Sequence, residues 1–276
     1  MELFVYAVLY AFFGWLIEVT YYVFKTKSFV NRGFLNGPFV PIYGLSLLSL
    51  HVILYTIFDG FSPLSWVMVL SVFILIIVIG TVFELVGGMV LFNVFETRWW
   101  DYSDQPLNYK GYVCLWFSVI WGFLGTGGFF IIHVPLIVPW VGQWNRESLV
   151  YFTYGFSIIL LTDYLFTLYS LFNFRRLVFE FKSNASQLIQ STSKFRDKLP
   201  LSISQPLETL RKNERLNVIM YNVYRAKDAI VNIKDKMITN QYSRLDRIGA
   251  KIRSTRLYKA FPELRIHKKQ KDDHDE

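Results

Sequence analysis

The chain holds one cysteine, Cys114, among 276 residues. No internal disulfide is therefore available, and cysteine usage says nothing about redox compartment. Charge is scarce in the first part. Residues 1–174 carry 6 Lys or Arg and 9 Asp or Glu, whereas residues 175–276 carry 23 and 12. A soluble domain is about one-quarter charged, so the scarcity excludes a single soluble globular fold. Motifs of familiar chemistry are also missing. There is no G-x-x-x-x-G-K-[ST], and the GTGG run at Gly125–Gly128 lacks the lysine of a nucleotide-binding loop. H-E-x-x-H, C-x-x-C and G-x-S-x-G are absent as well. No catalytic residue, metal or cofactor is expected.

Apolar and aromatic residues dominate instead, at 53% and 18% of the chain. Crossing about 30 Å of hydrocarbon takes about 20 apolar residues. Five segments qualify: 3–24, 39–58, 66–92, 112–132 and 149–174. The expected fold is all-α, a polytopic membrane protein with a transmembrane domain over 1–174. A basic amphipathic helical tail over 175–265 and a disordered charged terminus over 266–276 follow. The first segment is too long and too aromatic for a signal peptide, and is read as an uncleaved anchor.

Lysine and arginine set the orientation. Lys25, Lys27 and Arg32 follow the first segment, Arg98 and Lys110 the third, and Arg175 and Arg176 the fifth. The second loop (Asp59–Ser65) has none, and the fourth has only Arg146. The N-terminus is accordingly expected outside and the tail in the cytoplasm. Trp140 and Trp144 suit an outer aromatic belt, Trp99 and Trp100 an inner one.

The front part reads as a duplication. Gly14–Glu18 and Gly80–Glu84 are both G-x-x-x-E. Arg32-Gly33-Phe34 and Lys110-Gly111-Tyr112 follow them. The windows Gly33–Gly44 and Gly111–Gly122 then align without gaps, sharing Gly33/Gly111, Phe39/Phe117, Ile42/Ile120 and Gly44/Gly122. Both units run in the same sense, so parallel helical-hairpin repeats are expected, with the fifth helix added.

Glu18 and Glu84 are the leading candidates for function. A charge deep in a span costs at least ~2.5–3.5 kcal/mol on insertion scales and seldom faces lipid. If the repeat brings them together, the pair can bind a proton, a cation or an organic amine. The plainer alternative pairs each with Arg32 or Lys110, or makes it a helix cap. Trp100, Asp101 and Tyr102 can wall a cation or headgroup site, or serve as an interfacial anchor with an exposed acid. Asp163 is expected to hydrogen-bond a core Ser, Thr or Tyr. His51 and His133 look isolated and are not expected to be ligands. Cys114 reads as packing.

In the tail, helix is expected to continue through Arg175–Leu199, with breaks at Pro200 and Pro206. Leu216, Ile219, Val223, Ala226, Ile230, Ile233 and Met237 then form an apolar stripe. Tyr242, Leu245, Ile248 and Ile252 resume it after a phase slip. The opposite face is basic, so the helix can pair with another copy or lie on anionic lipid headgroups. Nucleic acid is not an expected partner.

Gly14-Trp-x-x-Glu18, NRGFLNGPFVPIYG (Asn31–Gly44), RWWDYSD (Arg98–Asp104) and GYVCL (Gly111–Leu115) together resemble the bacterial ABC-transporter type IV membrane family, also called CmpB-like. The resemblance covers roughly residues 1–160. It implies a permease of the bacterial cytoplasmic membrane working with a separate ATPase. Three functions then compete. The first is a permease-like transport component, whose acidic pair binds a cation, proton or amphiphile. The second is a scaffold recruiting a cytoplasmic partner through its tail. The third is a lipid-modifying enzyme using Glu18, Glu84 or Asp101.

Overall fold

The structure, a computed structural model, describes residues 1–58, 65–95, 97–193, 215–230, 236–261 and 265–266. The chain forms two compact units, residues 1–90 with 100–168, and residues 91–99 with 169–276.

In the first unit, α1 (Glu2–Thr26) ends at Lys27, whose left-handed backbone lets its N–H reach the Val23 carbonyl. Helix α2 (Pro41–Phe58) starts on proline, whose missing N–H is harmless in a first turn. It begins two residues after the expected Phe39. The two helices approach closely. Gly44 lies on the Ala7 carbonyl and Gly14 lies under the Tyr43 ring, and a Cβ at either glycine would overlap its neighbour.

Helix α3 (Trp66–Phe95) is an almost unbroken apolar run of 30 residues. Helix α4 (Leu115–Gly128) packs on it through Gly122 against Phe73 and Ile77, and through Gly125 against Ile76. A π-helical segment, Phe129–Ile137, and α5 (Val138–Gly142) continue the same path. The apolar helical stretch thus runs over Leu115–Gly142, where the sequence suggested a span over 112–132. The wider π turn takes in Pro135, with the Val138 N–H reaching back to the His133 carbonyl, and Pro139 falls in the first turn of α5. Helix α6 (Arg146–Ser193) starts three residues before the expected Leu149 and runs for 48 residues.

Val5, Leu50, Leu54, Val72, Phe129 and Val141 are the buried centre of this unit. Large apolar side chains such as Phe123, Ile131, Leu161 and Leu165 are exposed. Apolar inside and apolar outside is the pattern of a bundle solvated by lipid. Four helical stretches, Glu2–Thr26, Trp66–Phe95, Leu115–Gly142 and Arg146–Ser191, are long and apolar enough to cross a membrane. Helix α2 is apolar but shorter. The chain is an all-helical membrane protein apart from a few two-residue strands.

Two of those strands, β2 (Asn108–Tyr109) and β3 (Val113–Cys114), pair antiparallel in the loop between α3 and α4. Another pair lies in the second unit. There β1 (Thr97–Arg98) pairs antiparallel with β4 (Arg265–Ile266). Ile266, expected to open the disordered terminus, is thus in a strand. The other helices of this unit are α7 (Leu216–Ile230), α8 (Lys236–Ser254) and α9 (Arg256–Ala260).

Along the late part of α6, Leu171, Phe174, Val178, Phe181, Ala185 and Leu188 are buried at alternating spacings of three and four. Part of the apolar stripe foreseen in the tail is buried too. Leu216, Ile219 and Val223, with Tyr242, Leu245, Ile248 and Ile252, are all at most 7% exposed. Gly249 sits beside Phe181 and Met220, and Arg244 bonds Glu180 at 3.4 Å. The described part of the stripe is therefore buried inside its own unit. Residues 194–200, Pro206, Ile233 and residues 267–276 lie outside the described residues.

Candidate functional site

The site is built from one helical spacing used on two helices. Residues four apart share a helix face. Tyr43 lies over Gly14, so its hydroxyl is brought one turn on, where it donates to Glu18 Oε1 at 3.0 Å. On α3, Glu84 and Gly88 share a face in the same way. Trp100 and Tyr112 pack against Gly88, and the Tyr102 hydroxyl donates to Glu84 Oε1 at 2.8 Å. Helix α4 supplies the wall. Its Phe117 stacks on Tyr102 at 5.1 Å, and its Trp121 meets Tyr43 edge to face at 5.7 Å.

These parts form one electrostatic group. The charge of Glu18 acts on Glu84, and both carboxylates act on Tyr43 and Tyr102. Burial, followed by the nearby Glu84 carboxylate, pushes the Tyr102 phenol well above its ordinary value. Tyr102 therefore stays a hydrogen-bond donor across physiological pH. Each glutamate keeps carboxylate lone pairs beyond the one tyrosine bond, so the site can accept a proton or coordinate a cationic group.

The loop before α4 is shaped to aim Tyr102. Its backbone N–H donates to the Gly111 carbonyl at 2.9 Å. Asn108 accepts from the Gly111 N–H at 3.0 Å, where Lys110 and Gly111 both take left-handed backbone angles. The Trp100 indole donates to the Tyr112 carbonyl at 2.8 Å. Asp101 turns the other way, accepting from the Ser103 backbone N–H at 2.9 Å. Tyr102 thus reaches the acidic pair, while Trp100 and Asp101 brace the loop. Arg32 lies over the Tyr22 ring at 5.0 Å and Lys110 over the Tyr109 ring at 5.5 Å. Among the described residues, the hydrogen bonds to Glu18 and Glu84 come from tyrosines, not from these two cations.

Asp163 holds the other loop. Its two oxygens accept from the Asn36 N–H at 2.9 Å and the Gly37 N–H at 2.8 Å. The expected hydroxyl partner exists too, Thr167 at 3.4 Å, but the backbone donors are the closer contacts. Asn31 completes the clasp, accepting from the Trp15 indole at 2.8 Å and donating to the Asn36 carbonyl at 2.7 Å. Sequence reasoning gave Tyr43 only an aromatic place in the repeat and gave Asn31 no role. The usable signal was the tyrosine's position in the window that ends at Gly44.

Fold and site define a polytopic α-helical membrane protein with an acidic, tyrosine-lined site inside its helical bundle. The chain belongs to the family described as "Putative ABC-transporter type IV", whose model matches residues 5–168. That match takes in both glutamates, both tyrosines and Asp163. No curated protein and no solved structure is a match for the chain.

Proposed function

We propose that this protein is a permease-like component of an ABC-type transport system, and that Glu18 and Glu84 with Tyr43 and Tyr102 bind the cation, proton or cationic amphiphile it handles. The observation that carries this reading is that two carboxylates on helices of membrane-spanning length act on one another electrostatically within one aromatic-walled group, each held by a tyrosine hydroxyl. Two acids purely for structure would be better served by permanent cations, because an unpaired buried charge is costly. Tyrosine donors hold the carboxylates in place and leave their charge available.

The reading includes five spans, with α2 as the second, and parallel repeats formed by the α1–α2 and α3–α4 hairpins. It places the N-terminus outside a bacterial cytoplasmic membrane, so that the site opens toward the cytoplasm with Arg32 and Lys110 near its mouth. Energy would come from a separate ATPase subunit, since the chain has no nucleotide-binding loop.

The test has two arms. Glu18→Gln and Glu84→Gln should each abolish the transport-dependent phenotype while the protein still assembles with wild-type-like thermal stability. Affinity purification from native membranes should return an ATPase. Stable glutamate variants with intact phenotype would overturn the site. Repeated recovery of other stable partners without an ATPase would favour the scaffold reading, which the folded, basic second unit supports. Anionic lipid headgroups suit that basic surface.

A further inference from the structure

At the end of the first unit remote from the glutamates lies a second constellation. Glu2 is 16 residues before Glu18 on α1, or about 24 Å of helix rise. His51 of α2 and His133 of the π segment, distant in sequence, come within 6.2 Å between ring centroids. Tyr6 packs on both, at 5.8 and 5.1 Å, and Tyr55 lies 4.5 Å from His51. Over this aromatic floor is a cavity of about 470 Å³ lined by Glu2, Tyr6, His51, Tyr55, Thr56 and Gly142, among others. Among the described residues, no lysine or arginine lines it. The charge that acts on Tyr6 and His51 from its rim is the Glu2 carboxylate.

We infer that this cavity is a second ligand site, one that takes a small organic ammonium group. A carboxylate at the rim, tyrosine rings in the lining and no lysine or arginine among the described lining residues suit ammonium recognition. The hollow persists because Gly142 contributes no side chain, and a Cβ built there meets no atom within 4 Å. The π-helical turn beneath it is a geometry often found at binding sites, and it carries His133 into the floor. This site lies apart from the acidic pair and stands independently of the proposal made for it.

The probe is choline, compared with its uncharged carbon isostere dimethylbutanol. Both are titrated calorimetrically into the full-length protein in nanodiscs of phosphatidylglycerol and phosphatidylethanolamine. Working at about pH 8 keeps ordinary imidazoles neutral. Choline should bind saturably and the isostere at least about fivefold more weakly. Glu2→Gln and Tyr55→Leu, at exposed positions, should each weaken choline by about fivefold or more. Gly142→Leu should abolish binding by filling the hollow. Asp104→Asn, at an exposed position in the loop before α4, should leave choline affinity unchanged. Nanodiscs containing phosphatidylcholine identify the natural source: lost choline binding points to a lipid headgroup, retained binding to a free solute. Equal binding of probe and isostere, no binding of either, or indifference to both Glu2→Gln and Gly142→Leu would overturn the inference.

Discussion

Tyr43 of α2 and Trp121 of α4 meet edge to face at 5.7 Å, and they hold the same place in the two aligned windows, Gly33–Gly44 and Gly111–Gly122. Under an approximate twofold, a residue that touches its own equivalent lies near the axis. The glycines that close both windows agree with such an axis. Gly44 packs on Ala7 and Gly122 on Phe73, and those partners are equivalent when Gly14 is aligned with Gly80. Cryo-electron microscopy of the protein in nanodiscs should therefore superpose the α1–α2 hairpin on the α3–α4 hairpin by a rotation of roughly 180° about the membrane normal. The same operation should carry Glu18 onto Glu84. An in-plane axis, or unlike hairpins, would reject the duplication.

The two copies are not packed alike everywhere, and that difference is measurable. A Cβ at Gly14 would run into Tyr43, whereas one at Gly80 meets nothing within 4 Å. Gly80→Ala should be neutral or stabilising by up to about 1 kcal/mol, the helix propensity difference. Gly14→Ala should be destabilising by about 1–3 kcal/mol, the usual range for overpacking, and should push Tyr43 off Glu18. Thermal unfolding of the two variants in matched detergent decides it. Equal losses would mean that the Gly14–Tyr43 contact is not what holds α1 and α2 together.

The tyrosine–glutamate bonds should show as coupling energies. Hydrogen bonds to charged groups are worth about 1.5–3 kcal/mol, and contacting pairs are non-additive. Double-mutant cycles of Tyr102→Phe with Glu84→Gln, and of Tyr43→Phe with Glu18→Gln, should each give a coupling above about 1 kcal/mol in stability. The crossed cycle of Tyr102→Phe with Arg32→Gln should give less than about 0.5 kcal/mol. Coupling of the glutamates to Arg32 or Lys110 instead would restore the ion-pair reading.

Asp163 makes a prediction about a loop far from it in sequence. Asp163→Asn removes the charge and one of the acceptors that hold the Asn36 and Gly37 amides. Hydrogen exchange over residues 31–40 should speed up by about tenfold or more, equivalent to about 1.4 kcal/mol of lost local protection. Exchange over residues 100–112 should not change. A uniform increase over the whole chain would indicate general destabilisation and not the loss of this clasp.

Much of this was legible in the sequence, for reasons that also mark the limit. The run Trp66–Phe95 is apolar around nearly its whole circumference, Glu84 apart, so its helix and its membrane setting are local properties. The period of Leu216, Ile219 and Val223 was equally plain, and all three are buried. Their partner was not, because periodicity gives a face but not what covers it. Phe181 of α6 comes beside Gly249, and the sequence shows that stretch of α6 only as more helix. His51 and His133 looked isolated because 82 residues separate them. Asp163 bonds backbone amides, which carry no residue-type signal. The helical continuation past Ile132 was not foreseen, since a π turn that absorbs a proline has no sequence mark of its own.

Orientation follows from which loops carry positive charge, and the described loops sharpen where to test it. The loop bearing Arg98 and Lys110 is ordered by the β2–β3 pair and by Asn108, and Asp104 is exposed within it. Arg146 opens α6 after the Trp144 turn and is also exposed. An insertion at either place leaves the helical core intact. Reporter fusions after Asp104 and after Ser193 should report the cytoplasm, and one after Arg146 the outside, as the positive-inside rule requires. The same experiment bears on α2. If α2 crosses the membrane, the Lys25–Arg32 side and the Asp104 side are the same, so a fusion at Lys27 should match Asp104. If α2 returned without crossing, Lys27 and Asp104 would report opposite sides, and the five-span reading would fail along with the shared cytoplasmic mouth for Glu18 and Glu84.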